Sequence, residues 1–303
     1  MAIINSGSFT KALWPGINKW YGKAYDEHSV EWTELFDSFT SRKAWEEDVG
    51  ISSFGLMKQK PQGQAVEFDT ETQGFITRYT HVTYALGFIV TREAVEDDLY
   101  DVVGEKKSRG LAFSMRQTKE INGANIYNRA TDTNYVYGDG KELIATDRPN
   151  IAGGTWANEL TTAADLSEAS LEQACIDIMK LENDRGLNIS IMPQSLILPV
   201  DLVFEAERIL NSLGRVGTAD NDINALKSMG KFRKVVANHY LTDTDAWFIR
   251  TNCPDGMKYF SRRDDDFDMD EDWDTDNAKY KGTARYSFGM TDPRGIFGSP
   301  GAA

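Results

Sequence analysis

Cysteine and histidine are scarce in this 303-residue sequence, which holds two of the first and three of the second. Cys175 and Cys253 each stand alone, so there is neither a CxxC pair nor a zinc-type spacing. Cys175 falls on the apolar stripe of an expected helix and reads as a small buried hydrophobe. His28 sits in a polar segment, His81 within a strand pattern and His239 before a turn, and no local Ser or Asp arrangement makes a base of His239. Phosphate-cradling GxxxxGK[ST] and GxGxxG loops are missing, as are HExxH and GxSxG; the nearest glycine and lysine cluster, Gly104 to Gly110, has the wrong spacing. No cofactor is expected. No window approaches the roughly 20 apolar residues that cross a bilayer, and the opening MAIINSGSFTKALWPG lacks a signal peptide's basic start and apolar run. No membrane partner and a cytoplasm-like compartment are therefore expected. Positive charge is short as well, 33 Lys and Arg against 47 Asp and Glu, a net of −14. That balance argues against a partner gripped through its phosphates and favours soluble, self-repelling subunits.

What is present points to a mixed α+β chain long enough to bury a sizeable core. Residues 1–50 are rich in large aromatics, including Trp14, Trp20, Tyr21, Tyr25, Trp32, Phe36, Phe39 and Trp45, with helical periodicity broken by Pro15, Gly16 and Gly22. Such an arm lies either against another surface or as a first layer of the core. Gln64–Thr70 and Phe75–Val90 alternate like strands and flank ETQG, which ends in Gly74 and suits a hairpin turn. At about 3.3 Å per residue even half of the second strand reaches on the order of 25 Å. A hairpin alone in water is marginal, so this one needs a covering surface on its own chain or another.

A helix is expected from Thr91, with Val95, Leu99 and Val102 on one face, a break permitted at Gly104, and resumption over Ser108–Arg129. Its narrow, partly polar stripe suits a helix lying across a sheet or an interface. Residues 131–160 read as loop; Asp165 with Glu168 is a candidate capping box before the stripe Leu171, Cys175, Ile178 and Leu181. Ser195–Leu198 reads as a buried strand, Val200–Leu213 as an amphipathic helix, and Lys234–Ala237, Ala246–Arg250, Met257–Phe260 and Lys279–Met290 as strands. In the last, Tyr280, Ala284, Tyr286, Phe288 and Met290 share one face and Lys279, Lys281, Thr283, Arg285 and Ser287 the other.

The run Asp264–Asp276 places nine carboxylates in thirteen residues. Asp266, Asp268, Asp270 and Asp272 invite a calcium reading, but an EF-hand register would put Glu271 where glycine belongs and Asn277 where glutamate belongs. Three readings stay open: nonspecific cation binding, a solvated acidic turn anchored by Phe267, Met269 and Trp273, or an acidic strand edge facing Lys or Arg of a neighbouring subunit.

Four strings, in order, carry a resemblance. They are Lys141–Asn150 followed by Gly153–Asn158, Ser195–Pro199 before a helix, Val235–Phe248, and Arg285–Gly298. Over roughly 51–298 the chain resembles tailed-bacteriophage major capsid proteins of the HK97 fold, most closely the Mu-type major head subunits; where those have Thr-Asp-His-Pro, this chain has Arg148 in place of the His. The resemblance implies an α+β fold with an N-terminal arm at 1–50 and an extended β-hairpin loop at 51–91. It implies a peripheral domain with a spine helix at 92–159 and 251–290, and an axial domain at 160–250 and 291–303. It implies no enzyme but a virion subunit assembled in the bacterial host cytoplasm. Copies would form hexamers and pentamers of an icosahedral shell enclosing double-stranded DNA without sequence-specific binding, aided by scaffold, portal and decoration proteins. Assembly contacts are expected at Gln64, Val66, Phe68, Gly74, Phe75, Arg78 and Tyr79. Lys58 and Lys60 lie at the loop's base, where some relatives crosslink, but no partner Asn or catalytic carboxylate is identified. The alternatives are another virion component, a compartment shell of the same fold, or a metal enzyme built on 264–276.

Overall fold

A computed structural model describes residues 19, 21–23, 25–26, 29–91, 93, 100–214, 223–271 and 277–302. Trp14, Trp20, His28, Val95, Leu99, Asp272 and Trp273 lie outside them. The aromatic N-terminal segment enters through helix α1 (Trp32–Leu35), where Trp32, Leu35 and Phe36 are buried in the chain's own core. This part of the arm is thus a core layer and not a free surface segment. Strand β1 (Asp37–Thr40) follows, then β2 (Trp45–Ile51).

The alternating stretch after Gly74 does not form one strand. It divides at His81 into β3 (Gln73–Thr80) and β4 (Val82–Val90), which join different sheets. Gln64–Thr70 is not a strand, so the expected hairpin around ETQG does not form; β3 pairs instead with β2, from Trp45 opposite Thr80 to Ile51 opposite Gln73. The projecting ribbon therefore spans 45–80, and residues 82–90 of the expected loop belong to a sheet.

Helix α2 (Tyr100–Asn128) continues through Gly104 without the expected break. It crosses the outer sheet: Glu120 accepts hydrogen bonds from the backbone N–H of Glu31 (3.1 Å) and Trp32 (2.8 Å), capping α1 from a second helix, and Asn122 donates to the Tyr286 hydroxyl at 2.9 Å. The loop region 131–160 contains the short pair β5 (Arg148–Pro149) and β6 (Thr155–Trp156). Helix α3 (Glu168–Met179) is capped at Ser167, whose hydroxyl accepts from Ser170 N at 3.1 Å while Ser170 Oγ accepts from Ser167 N at 2.9 Å. The box sits two residues later than the Asp165–Glu168 pair suggests, because short hydroxyls close both bonds at this turn. Cys175 is buried on its inner face, where desolvation raises its thiol to about 11.

Then come β7 (Pro193–Pro199), α4 (Val203–Asn211), α5 (Ala225–Met229), β8 (Lys234–Asn238), β9 (Trp247–Thr251), β10 (Met257–Glu271), β11 (Ala278–Met290) and β12 (Ile296–Ser299). Two four-stranded sheets result, in the orders β1-β10-β11-β4 and β12-β9-β7-β8. The second is buried on both faces, which is why Leu196-Ile197-Leu198 reads as an unbroken apolar run. Leu196, Leu198, Trp247, Ile249 and Phe297 pack with α3 and α4; Ile197, Phe248 and Ile296 turn to a second core shared with Trp32, Tyr127, Tyr259 and Tyr286. In the first sheet β11 has the expected two faces, Tyr280, Ala284, Tyr286 and Met290 buried and Lys279 and Lys281 exposed. Gly282 lets α2 approach, since an added Cβ would lie 2.0 Å from Met115 Sδ.

Candidate assembly surface

The ribbon of β2 and β3 is anchored at its base, lies along its flank against Gly138 and Ile151 of the loop 131–160, and carries an exposed apolar loop at its far end. At its base Tyr79 is 3% exposed, stacks edge-on with Phe260 and shares a 2.7 Å hydrogen bond with Thr291 Oγ1. Asp48 accepts from Thr291 Oγ1 at 2.8 Å and pairs with Lys258 Nζ at 2.7 Å, which also meets Asp255 at 2.8 Å. These two carboxylates hold the Lys258 ammonium above its usual range even though burial opposes them. His81, at the junction of β3 and β4, is buried with Nδ1 2.9 Å from Ser287 Oγ; desolvation, then the nearby Arg285, holds it below its ordinary 6.5.

Beyond the base the ribbon turns apolar outward. Val49, Ile51, Phe75 and Ile76 are exposed, as is Trp45 back at the base, and so, in the loop 52–72, are Phe54, Leu56, Met57, Val66 and Phe68, of which Leu56, Met57 and Phe68 are more than two thirds uncovered. Phe68 reaches 94% exposure. An apolar side chain held in water on a two-stranded stalk gains nothing until another surface covers it. Of the expected contact residues, Gln64, Val66 and Phe68 stand in this loop, Phe75 lies at the exposed edge, and Arg78 stacks over Trp45 at 4.3 Å while facing Glu47. Gly74 and Tyr79 are committed within the chain: an added Cβ on Gly74 would lie 2.3 Å from Ile151 Cδ1.

The acidic run lies largely within β10, which extends to Glu271 where the sequence suggests an end near Phe260. Its charge is met in register, Asp268 opposite Lys281 and Asp270 opposite Lys279, with Lys281 Nζ 3.6 Å from Asp268. The cationic strand that faces it is thus this chain's own β11. Among the described residues no three His, Cys, Asp or Glu side chains gather to hold a metal. Asp265 turns the other way, beneath α2, where it accepts from the Tyr25 hydroxyl and pairs with Lys119 Nζ at 2.8 Å. Burial dominates both partners, raising Asp265 to about 6 and lowering Lys119 to about 8.

A second buried charge escaped the sequence reading. Arg148 is fully buried, paired with Asp139, and donates to the carbonyls of Glu142 and Leu143 and to Asn158 Oδ1 at 2.7 Å. All of these partners lie within 131–160, so Arg148 ties that loop to itself, and Asn158 carries it onward by donating to the carbonyls of Pro293 and Ile296; the position at which Arg148 replaces His bears on the fold itself. Only its place between two turns in the sequence hinted at this.

A phage capsid protein family model matches residues 74–298, most of the chain, with the second sheet and every strand of the first but β1. The chain belongs to the phage capsid protein family. Solved structures agree on the fold. A chain from Mycobacterium phage Che8 superposes with a TM-score of 0.54 at 13% identity, covering 89% of this chain and 91% of that one. The procapsid of bacteriophage JBD30 gives 0.51 at 14%, covering 98% and 76%. A phage-related protein of Bordetella bronchiseptica gives 0.52 at 14%, covering 92% and 95%. No curated protein matches the chain in sequence. The capsid family accounts for an α+β chain whose ribbon leaves the body: this is the HK97 fold.

Proposed function

We propose that this capsid protein is a major head subunit, of the Mu-type kind, whose copies close as hexamers and pentamers into an icosahedral shell around double-stranded DNA. The observation that carries the reading is the apolar loop 52–72 at the far end of an anchored ribbon, with Leu56, Met57 and Phe68 uncovered. A neighbouring copy supplies the cover, and repetition of that contact about symmetry axes closes the shell. In this reading 1–50 begins as an arm, and the ribbon 45–80 is the extended loop. Residues 92–159 and 251–290 are the peripheral domain with α2 as its spine, and 160–250 with 291–303 are the axial domain. Gln64, Val66, Phe68, Phe75 and Arg78 are its contact residues. A net charge of −14 keeps packaged DNA from adhering. The role is binding, without catalysis; the subunit assembles in the bacterial host cytoplasm with a separate scaffold and a portal, and decoration proteins can be added to the finished virion.

The test is expression with the neighbouring scaffold gene and electron microscopy of the product, for the wild type and for a variant with residues 54–70 replaced by a short Gly-Ser linker. The wild type should give closed shells or rings. The variant should be folded and unassembled. A wild type that stays a compact monomer under every assembly condition would sink the proposal.

A further inference from the structure

The loop 52–72 is not free in the isolated subunit. Asp69 accepts hydrogen bonds from Gly55 N at 2.8 Å and Thr70 N at 2.8 Å, and these backbone donors, ahead of Arg185, hold its carboxyl below the usual range. Arg185 comes from the turn between α3 and β7, more than a hundred residues away, and donates through Nη1 to Asp69 Oδ1 at 3.1 Å and through Nη2 to the Thr70 carbonyl. The two sides of this contact differ in stiffness. The turn is braced: Asn183 Oδ1 accepts from Arg185 N and Leu187 N, both at 2.9 Å, and Asp184 pairs with Arg294 at 2.8 Å. The loop has few ties, a clip between Ser52 and Thr72 and an exposed Lys58–Glu67 pair at 2.6 Å.

We infer that Arg185 is a latch that holds the loop 52–72 against its own subunit and must release before the loop can cover a neighbour. The inference rests on the capsid reading for its consequence and on geometry for its existence. Arg185 and Asp69 remain partly exposed, 28% and 42% at the side chain. Exposed pairs of this kind shift an equilibrium by up to roughly fivefold, and salt screens them. A hold of that size suits a contact that delays association without preventing it; a buried pair would block the loop outright. The same contact explains how subunits carrying Leu56, Met57 and Phe68 in water can avoid premature association while a nucleus is scarce.

The experiment uses the full chain. Unassembled wild type, Arg185→Ala, Arg185→Lys and Asp69→Asn are compared for the initial rate of trypsin cleavage after Lys58, since Lys60 precedes Pro61 and resists the protease, and for the lag before light scattering reports assembly, at about 0.05 and 0.5 M salt. Arg185→Ala should raise cleavage and shorten the lag several-fold at low salt and reduce the salt dependence of cleavage to what the Lys58–Glu67 pair retains; Arg185→Lys should fall between it and wild type. Unchanged cleavage in Arg185→Ala overturns the latch. So does faster cleavage with slower assembly, which would make Arg185 a positioning residue for docking. If the wild type forms no shells at all, the capsid reading falls, and cleavage alone still decides whether the latch exists.

Discussion

The residues on either side of His81 form two strands of similar length and alternation with opposite fates. Val82–Val90 lies flat between β11 and solvent, under α2, with Tyr84 stacked 4.8 Å from Tyr286 and Phe88 stacked 4.9 Å from Tyr280. Gln73–Thr80 leaves the body with β2 as its sole strand partner among the described residues. One half is fixed by aromatic packing across a sheet, the other by Tyr79 against Phe260, by polar contacts at its root and by a flank lying against Gly138 and Ile151. The difference teaches that an alternating pattern specifies a strand with two faces but not what those faces meet.

Four substitutions separate the halves. Tyr286→Ala on the packed side should cost about 4 kcal/mol, as for other large-to-small changes in a core, and lower the midpoint of denaturant unfolding accordingly. A loss under 1 kcal/mol would mean that the sheet half is no better packed than the ribbon. At the root, Asp48→Ala leaves Lys258 with Asp255 alone and Thr291 without its acceptor, and should cost about 1–2 kcal/mol while freeing the ribbon, visible as faster amide exchange over 45–50 and 74–80. At the junction, His81 has a folded-state pKa below 6.5, so its neutral form is favoured by folding. Its contribution is intact above pH 6.5 and is lost as pH falls from there toward the lowered folded value. Wild-type stability should therefore decline through that window, and His81→Gln should flatten the decline; parallel curves would remove His81 from the hinge. Smallest in stability is Phe68→Ser on the outermost part of the ribbon, within about 0.5 kcal/mol of wild type, yet it should reduce shell yield measured by sedimentation.

Where one face is wet and the other dry, period two is visible, so β11 is legible down to its individual faces; where both faces are dry, the run Leu196–Leu198 is equally plain. The strand partner of β3 was hidden because β2, with Glu46, Glu47 and Asp48, has the composition of a solvated segment. It pairs across a loop, not the short turn that ETQG suggests. The end of β10 was hidden for a related reason: a row of aspartates argues against a strand until Lys279 and Lys281 are seen to lie opposite. Helix α2 runs through Gly104 because packing of its later turns on the sheet, as at Met115 and Asn122, outweighs a cost of about 1 kcal/mol for one glycine. Of the proposed contact residues, Gln64, Val66 and Phe68 stand in the exposed loop, whereas Tyr79 follows the same alternation and turns inward. Arg185 carried no signal at all, since its partner Asp69 is distant in sequence and each looks like an ordinary surface charge.

Strand β9 assigns Trp247 to one core and Phe248, its neighbour, to the other. No cut through the chain between residues 193 and 251 leaves either core whole. A recombination event that exchanged one half for a homologue's would have to match two sets of side chains on the same strand at once. An exchange within the body would therefore disturb both cores together, whereas a change confined to the loop 52–72 would disturb neither.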